Sequence, residues 1–76
     1  MNTMLKTAIV DAVDMVNSHA GQTRVLMRFV DDPTGYDFIA NAARIHGGLF
    51  EFQAGFDSYS GSLDELSEIK AELIKR

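Results

Sequence analysis

Phe50-Glu51-Phe52-Gln53-Ala54-Gly55-Phe56-Asp57 places an apolar residue at every second position. That is the period of a half-buried β-strand, with one face on a core and the other in water. Two helix-start signatures flank it, Thr34-Gly35-Tyr36-Asp37 and Ser62-Leu63-Asp64-Glu65. Each sets an acid three residues after a hydroxyl that can accept a free backbone N–H, the pattern of a capping box. Together they predict a strand between two helices.

A chain of 76 residues makes one domain, residues 1–76, of a size whose single core supplies only about 3–5 kcal/mol. The sequence has no Cys, so disulfides, thiol chemistry and thiolate metal sites are excluded, and a reducing, cytoplasmic setting is expected. No charged segment followed by a long apolar run opens the chain, and no run of about 18 apolar residues occurs, so neither a signal peptide nor a membrane span is expected. With 7 basic against 11 acidic residues the formal charge is −4, which favours solubility and disfavours binding to a phosphate backbone.

The first segment places Leu5, Ile9, Val13, Val16 and Ala20 on one side of a helix, widened by Met1, Met4, Ala8 and Ala12. Gly21 can end it as the left-handed residue beyond the last turn. Val10 and Met15 fall off this stripe, a surplus that suggests self-association, with a dimer favoured, or else two half-exposed margins. Thr23 to Val30 reads as a strand, with Val25, Met27 and Phe29 on one face and Arg24, Leu26, Arg28 and Val30 on the other. Asp31-Asp32-Pro33-Thr34-Gly35 is turn chemistry. Residues 36–46 satisfy two patterns. Phe38, Ala42 and Ile45, the Thr34 cap and Gly47-Gly48 favour a helix; Tyr36, Phe38, Ala40 and Ala42 alternate well enough to pair with residues 24–30 as a strand. After the strand at 49–57, Ser58 to Gly61 forms a turn or a short antiparallel strand. Leu63, Leu66, Ile69 and Leu73 then line a closing helix, with Asp64 and Glu65 in its first turn and Lys75 and Arg76 in its last. The expected fold is a small α+β domain of order α-β-α-β(-short β)-α, its helices on one face of a two- to three-stranded sheet.

Over residues 23–67 the chain resembles the histidine-containing phosphocarrier proteins of the bacterial sugar phosphotransferase system. Thr34-Gly35-Tyr36-Asp37 is similar to that family's Thr-Gly-aliphatic-His loop, and Gly61-Ser62-Leu63 falls where the family has a regulatory serine. Asp37 stands where the phosphorylated His would be, the following Arg-Pro is missing, and a helix precedes the first strand. The resemblance therefore implies a phosphocarrier-like scaffold without the carrier's chemistry, with Asp37 or Ser62 as possible phospho-acceptors.

Other chemistry is thinly represented. His19 and His46, both beside Gly, fit helix C-termini, and the Ser58, Ser60, Ser62 run lacks a nucleophile-elbow pattern. Asp31, Asp32 and Asp37 crowd one loop but are explained as turn and dipole residues, and the Asp57 run misplaces the glycine of a calcium loop. No catalytic residue, cofactor or metal is expected. Arg24 and Arg28 beside Phe50, Phe52 and Phe56 have the composition of an RNA platform, yet the three Phe residues are the obvious core. The remaining surface is acidic: Asp11 and Asp14 on the first helix and Asp64, Glu65, Glu68 and Glu72 on the last. The expectation is a non-catalytic protein-binding or regulatory module that meets its partner through these faces or through a sheet edge. A small acidic inhibitor of a nucleic-acid enzyme, of the kind phages encode, is the alternative.

Overall fold

The computed structural model describes residues 3–74. One helix, α1 (Thr3–Ser18), is followed by six strands: β1 (Thr23–Phe29), β2 (Asp32–Ala40), β3 (Ala42–His46), β4 (Leu49–Ala54), β5 (Asp57–Ser62) and β6 (Leu66–Leu73). A single 3-10 turn, Leu63–Glu65, joins the last two strands. The strands form two three-stranded antiparallel sheets, in the orders β2-β1-β6 and β3-β4-β5.

The helix forms as its periodicity requires. Ile9, Ala12, Val13 and Val16 are buried; the helix ends at Ser18, earlier than expected, and the positive φ of Gly21 serves the turn that follows, closed by Gln22 N–H donating to the His19 carbonyl. Within β1, Val25 and Met27 are buried, with Phe29 packed against the core. Tight glycine-bearing turns set the register of the second sheet. Gly47 and Gly48 both have positive φ and form the two-residue loop between paired His46 and Leu49. Gly55 takes the first loop position between Ala54 and Asp57. These are the loops whose twist matches antiparallel strands, and glycine enters them without steric cost.

Two expected helices are strands, so the α-β-α-β-α order and its one-sided helix layer are not what the chain adopts. Over residues 36–46, Tyr36, Phe38 and Ala40 point inward along β2, and Ala43 and Ile45 do so along β3. The chain turns a corner at Asn41, whose N–H donates to the Gln53 carbonyl at 2.7 Å. That corner replaces one step of two by a step of three, so the apolar positions imitate a helical stripe; Ala42, needed for the helical reading, is exposed. The alternating reading of Tyr36, Phe38 and Ala40 is the one realised, through pairing with Met27, Val25 and Thr23.

The same arithmetic explains the last segment. The capping box at Ser62 does form, its hydroxyl accepting from Asp64 N–H at 3.2 Å while Glu65 Oε1 accepts from Ser62 N–H at 3.3 Å. It opens only one 3-10 turn, which separates buried Leu63 from buried Leu66. The step of three from Leu66 to buried Ile69 comes from a β-bulge, where pairing slips between Arg28 and Phe29. Ser67 occupies the bulge and donates its hydroxyl to the Arg28 carbonyl. Lys75 and Arg76 lie outside the described residues, as does Met1.

Inside, the sheets meet along an aromatic seam. Phe38 stacks on Tyr59 with ring centroids 4.0 Å apart, Phe29 lies parallel to Phe50, and Tyr36 meets both Phe29 and Tyr59 edge-on. Phe52 is completely buried, but Phe56, expected in the core with Phe50 and Phe52, stands fully exposed at the tip of the β4–β5 loop. The helix packs against β6 and β3. Asn17 there gives and takes one hydrogen bond with the backbone of Ala43, in the place of a neighbouring strand.

Gly48→Ala is expected to lower stability by about 1–2 kcal/mol, because its φ of +80° is hostile to a Cβ. Gly35→Ala, with no atom within 4 Å of the added carbon, should stay within about 0.5 kcal/mol of the parent. Urea denaturation of the two variants checks both.

Candidate functional site

The acidic residues expected on two helix faces are distributed differently. Asp11 and Asp14 are exposed on α1, whereas Asp64 and Glu65 belong to the 3-10 turn. Glu68 and Glu72 sit on β6, opposite Arg28 and Arg24 of β1. Arg28 lies 3.9 Å from Glu68, and Arg24 reaches Glu72 at 3.4 Å while binding both carboxylate oxygens of Asp37. This outer face of the first sheet is a cross-strand charge ladder, largely neutralised within itself.

That ladder defines the state of Asp37. It lies within β2, rather than at a helix start, and hydrogen bonds from Arg24 hold its carboxyl below the usual carboxylate value. Arg24 in turn is held more firmly protonated, chiefly by its hydrogen bonds to Asp37. Ser62, the other possible phospho-acceptor, is occupied as the cap of the 3-10 turn. Asp37 and Ser62 are thus committed to different local structures. His46 is in β3, while His19 ends α1, with Nδ1 3.3 Å from the Met15 carbonyl. Asp32 accepts from Thr34 N–H and from the Tyr36 hydroxyl at 2.7 Å, and these bonds, the Tyr36 one first, lower its carboxyl as well. Among the described residues no group of three or more His, Asp or Glu side chains is arranged to hold a metal ion, and no helix is long and apolar enough to cross a membrane. Of the surplus apolar residues on α1, Met15 is half-buried and gives its carbonyl to the Thr23 hydroxyl, and Val10 is exposed.

What the sequence pattern does not display is the condition of the sheet edges. Of the four outer strands, β3 has Ala43 bonded by Asn17, and β6 lies against α1. β2 carries Pro33, which has no N–H to offer. β5, Asp-Ser-Tyr-Ser-Gly-Ser, has no Pro, no Lys and no bulge, the features that usually protect an edge.

The hydrogen-bond phase shows which backbone groups β5 presents. Leu63 N–H donates to Gly48 C=O at 2.9 Å, which makes Leu49 and Ser62 a non-hydrogen-bonded pair. Alternation then directs the N–H and C=O of Ser58 and Ser60 away from β4. Ser62 N–H also points away, and Glu65 takes it. Ser58 and Ser60 are exposed. Beside this edge opens a cleft of about 300 Å³ lined by Phe29, Asp31, Asp32, Ser60, Gly61 and Glu65. It brings together Asp31 of the β1–β2 turn, Asp32 at the start of β2 and Glu65 of the 3-10 turn, of which only Glu65 belonged to the expected acidic surface. The even spacing of three serines was its only signal in the sequence.

A scan against protein-family models found no match, and neither curated proteins nor solved structures yielded one.

Asp32 and Asp37 both bind protons less tightly in the folded chain than in the unfolded one. Their contribution is complete above the ordinary carboxylate value of 3.8 and is lost as pH falls through the lower folded values. The urea midpoint should therefore fall on acidification from about pH 5 to about pH 2.5, and fall less in the Asp32→Asn, Asp37→Asn double variant. Equal falls in both proteins would show that these carboxylates are not linked to folding.

Proposed function

We propose that this protein is a non-catalytic protein-protein interaction module that accepts an extended segment of its partner alongside β5. The observation that carries this reading is the outward-facing backbone of Ser58 and Ser60 on an exposed edge strand. An extended peptide laid there gains main-chain hydrogen bonds without rearranging the sheet, the mode known as strand addition. The small serine side chains leave room for the incoming strand. Rigid aromatic packing behind β5, through Tyr59 on Phe38, holds the edge in shape, so little ordering cost is added on binding.

The test is a substitution that removes an edge donor without touching the β4–β5 ladder. Ser60→Pro deletes an N–H that points away from β4, a position where an edge strand tolerates proline. Its denaturation midpoint should stay close to that of Ser60→Ala. With the chain as bait in its host's lysate, the partner retained by the parent and by Ser60→Ala should be lost from Ser60→Pro. Retention of the same proteins by all three baits would overturn strand addition at β5.

A further inference from the structure

We infer that the segment taken up at β5 is basic: an extended stretch of another protein with Lys or Arg at alternate positions, its backbone on Ser58 and Ser60 and its cations over the cleft of Asp31, Asp32 and Glu65. This rests on the strand-addition reading and names the partner's chemistry. The cleft lies directly at the edge, since Ser60 and Gly61 of β5 form one wall of it and Phe29 and the acids the others. Three of its six lining residues are acidic and none is basic. Among the described residues the arginines are engaged elsewhere: Arg24 with Asp37 and Glu72, Arg28 with Glu68, Arg44 with Glu51. Asp32 and Glu65 do have hydrogen-bond donors, but these are the Thr34 and Ser62 amides and the Tyr36 hydroxyl, which leave their negative charge in place.

One side of the cleft is the Phe29 ring. Gly61 has no side chain, and a Cβ there would meet the Phe29 ring at 3.0 Å, so the aromatic surface comes up against the backbone of the edge. A lysine or arginine suits such a site in both its parts, with the alkyl stem on the ring and the charged head among the carboxylates. Alternation matters because side chains on one face of an added strand recur every second residue. A second copy pairing β5 against β5 is opposed by the same charges, since it would bring two acidic clefts together.

The probes are two fluorescent heptapeptide amides, one alternating Lys with Val and one alternating Glu with Val, titrated by anisotropy into the parent chain. The Lys peptide should bind at least about tenfold more tightly. Its affinity should drop between about 0.02 M and about 0.3 M salt, as partly exposed ion pairs do. Backbone amide shifts should move at Ser58 and Ser60. Asp31→Asn combined with Glu65→Gln, which keeps a cap acceptor, should weaken the Lys peptide several-fold, and Ser60→Pro should abolish its binding. Equal affinity for both peptides, each lost in Ser60→Pro, would overturn the basic partner while leaving strand addition intact. Binding of the Lys peptide that survives Ser60→Pro would overturn both. Failure of either peptide to bind, with Ser60→Pro still losing the captured partner, would overturn the basic partner alone.

Discussion

Everything in this fold depends on the stacking of two small sheets across an aromatic seam. A three-stranded sheet with one helix cannot bury enough surface to hold 76 residues together. Folding the strands back as a second sheet gives Phe29, Tyr36 and Phe38 partners in Phe50, Phe52 and Tyr59. The corner at Asn41 makes that possible within one continuous stretch of chain. Asn41 is anchored three ways around the corner, by its own N–H on Gln53, by its side-chain oxygen accepting from Gly55 N–H at 2.7 Å, and by sequence to Ala40, whose carbonyl receives Gly21 N–H.

A sandwich this small pays for its core in edges. The helix protects one side of the molecule through its packing on β3 and β6 and through the paired bonds of Asn17 to Ala43. Pro33 removes one N–H near the start of β2. β5 has no comparable guard, and the reading of the protein as a strand-accepting module follows from that asymmetry and from the charge gathered beside it. The ion pairs on the outer face of the first sheet are exposed and individually worth little to stability. Their greater effect is to occupy the arginines, so that the acids of the β5 cleft keep their field.

The most legible parts of the chain were those in which one local pattern had one outcome. The stripe of Ile9, Val13 and Val16 and the alternation of Val25, Met27 and Phe29 correspond to the structure; Gly47-Gly48, read as a helix end, is a hairpin loop, and the strand expected over 49–57 stops at Ala54, where Gly55 and Phe56 form a second one. The capping residues at Ser62 and Glu65 were also legible, because their bonds are local; the length of what they cap was not. The candidate site was barely visible. Whether an edge is guarded depends on Asn17 reaching Ala43, 26 residues away, and the cleft joins Asp31 to Glu65, far apart in the sequence but neighbours in space.

By itself, then, the sequence determined the period of the first helix and of β1, the capping residues at Ser62 and Glu65, the absence of thiol chemistry and the negative charge. Tertiary structure decided between helix and strand for residues 36–46 and 66–73. In both segments a single irregularity, the corner at Asn41 and the bulge at Ser67, inserts a step of three into a period of two. A step of three is what a helix would also show, so no local count separates the two. The choice fell to strand pairing, with β1 for residues 36–40 and 66–73 and with β4 for residues 42–46, which supplies backbone hydrogen bonds and buries Phe38, Ala40, Leu66 and Ile69 in one core, a gain that isolated helices of this length cannot match.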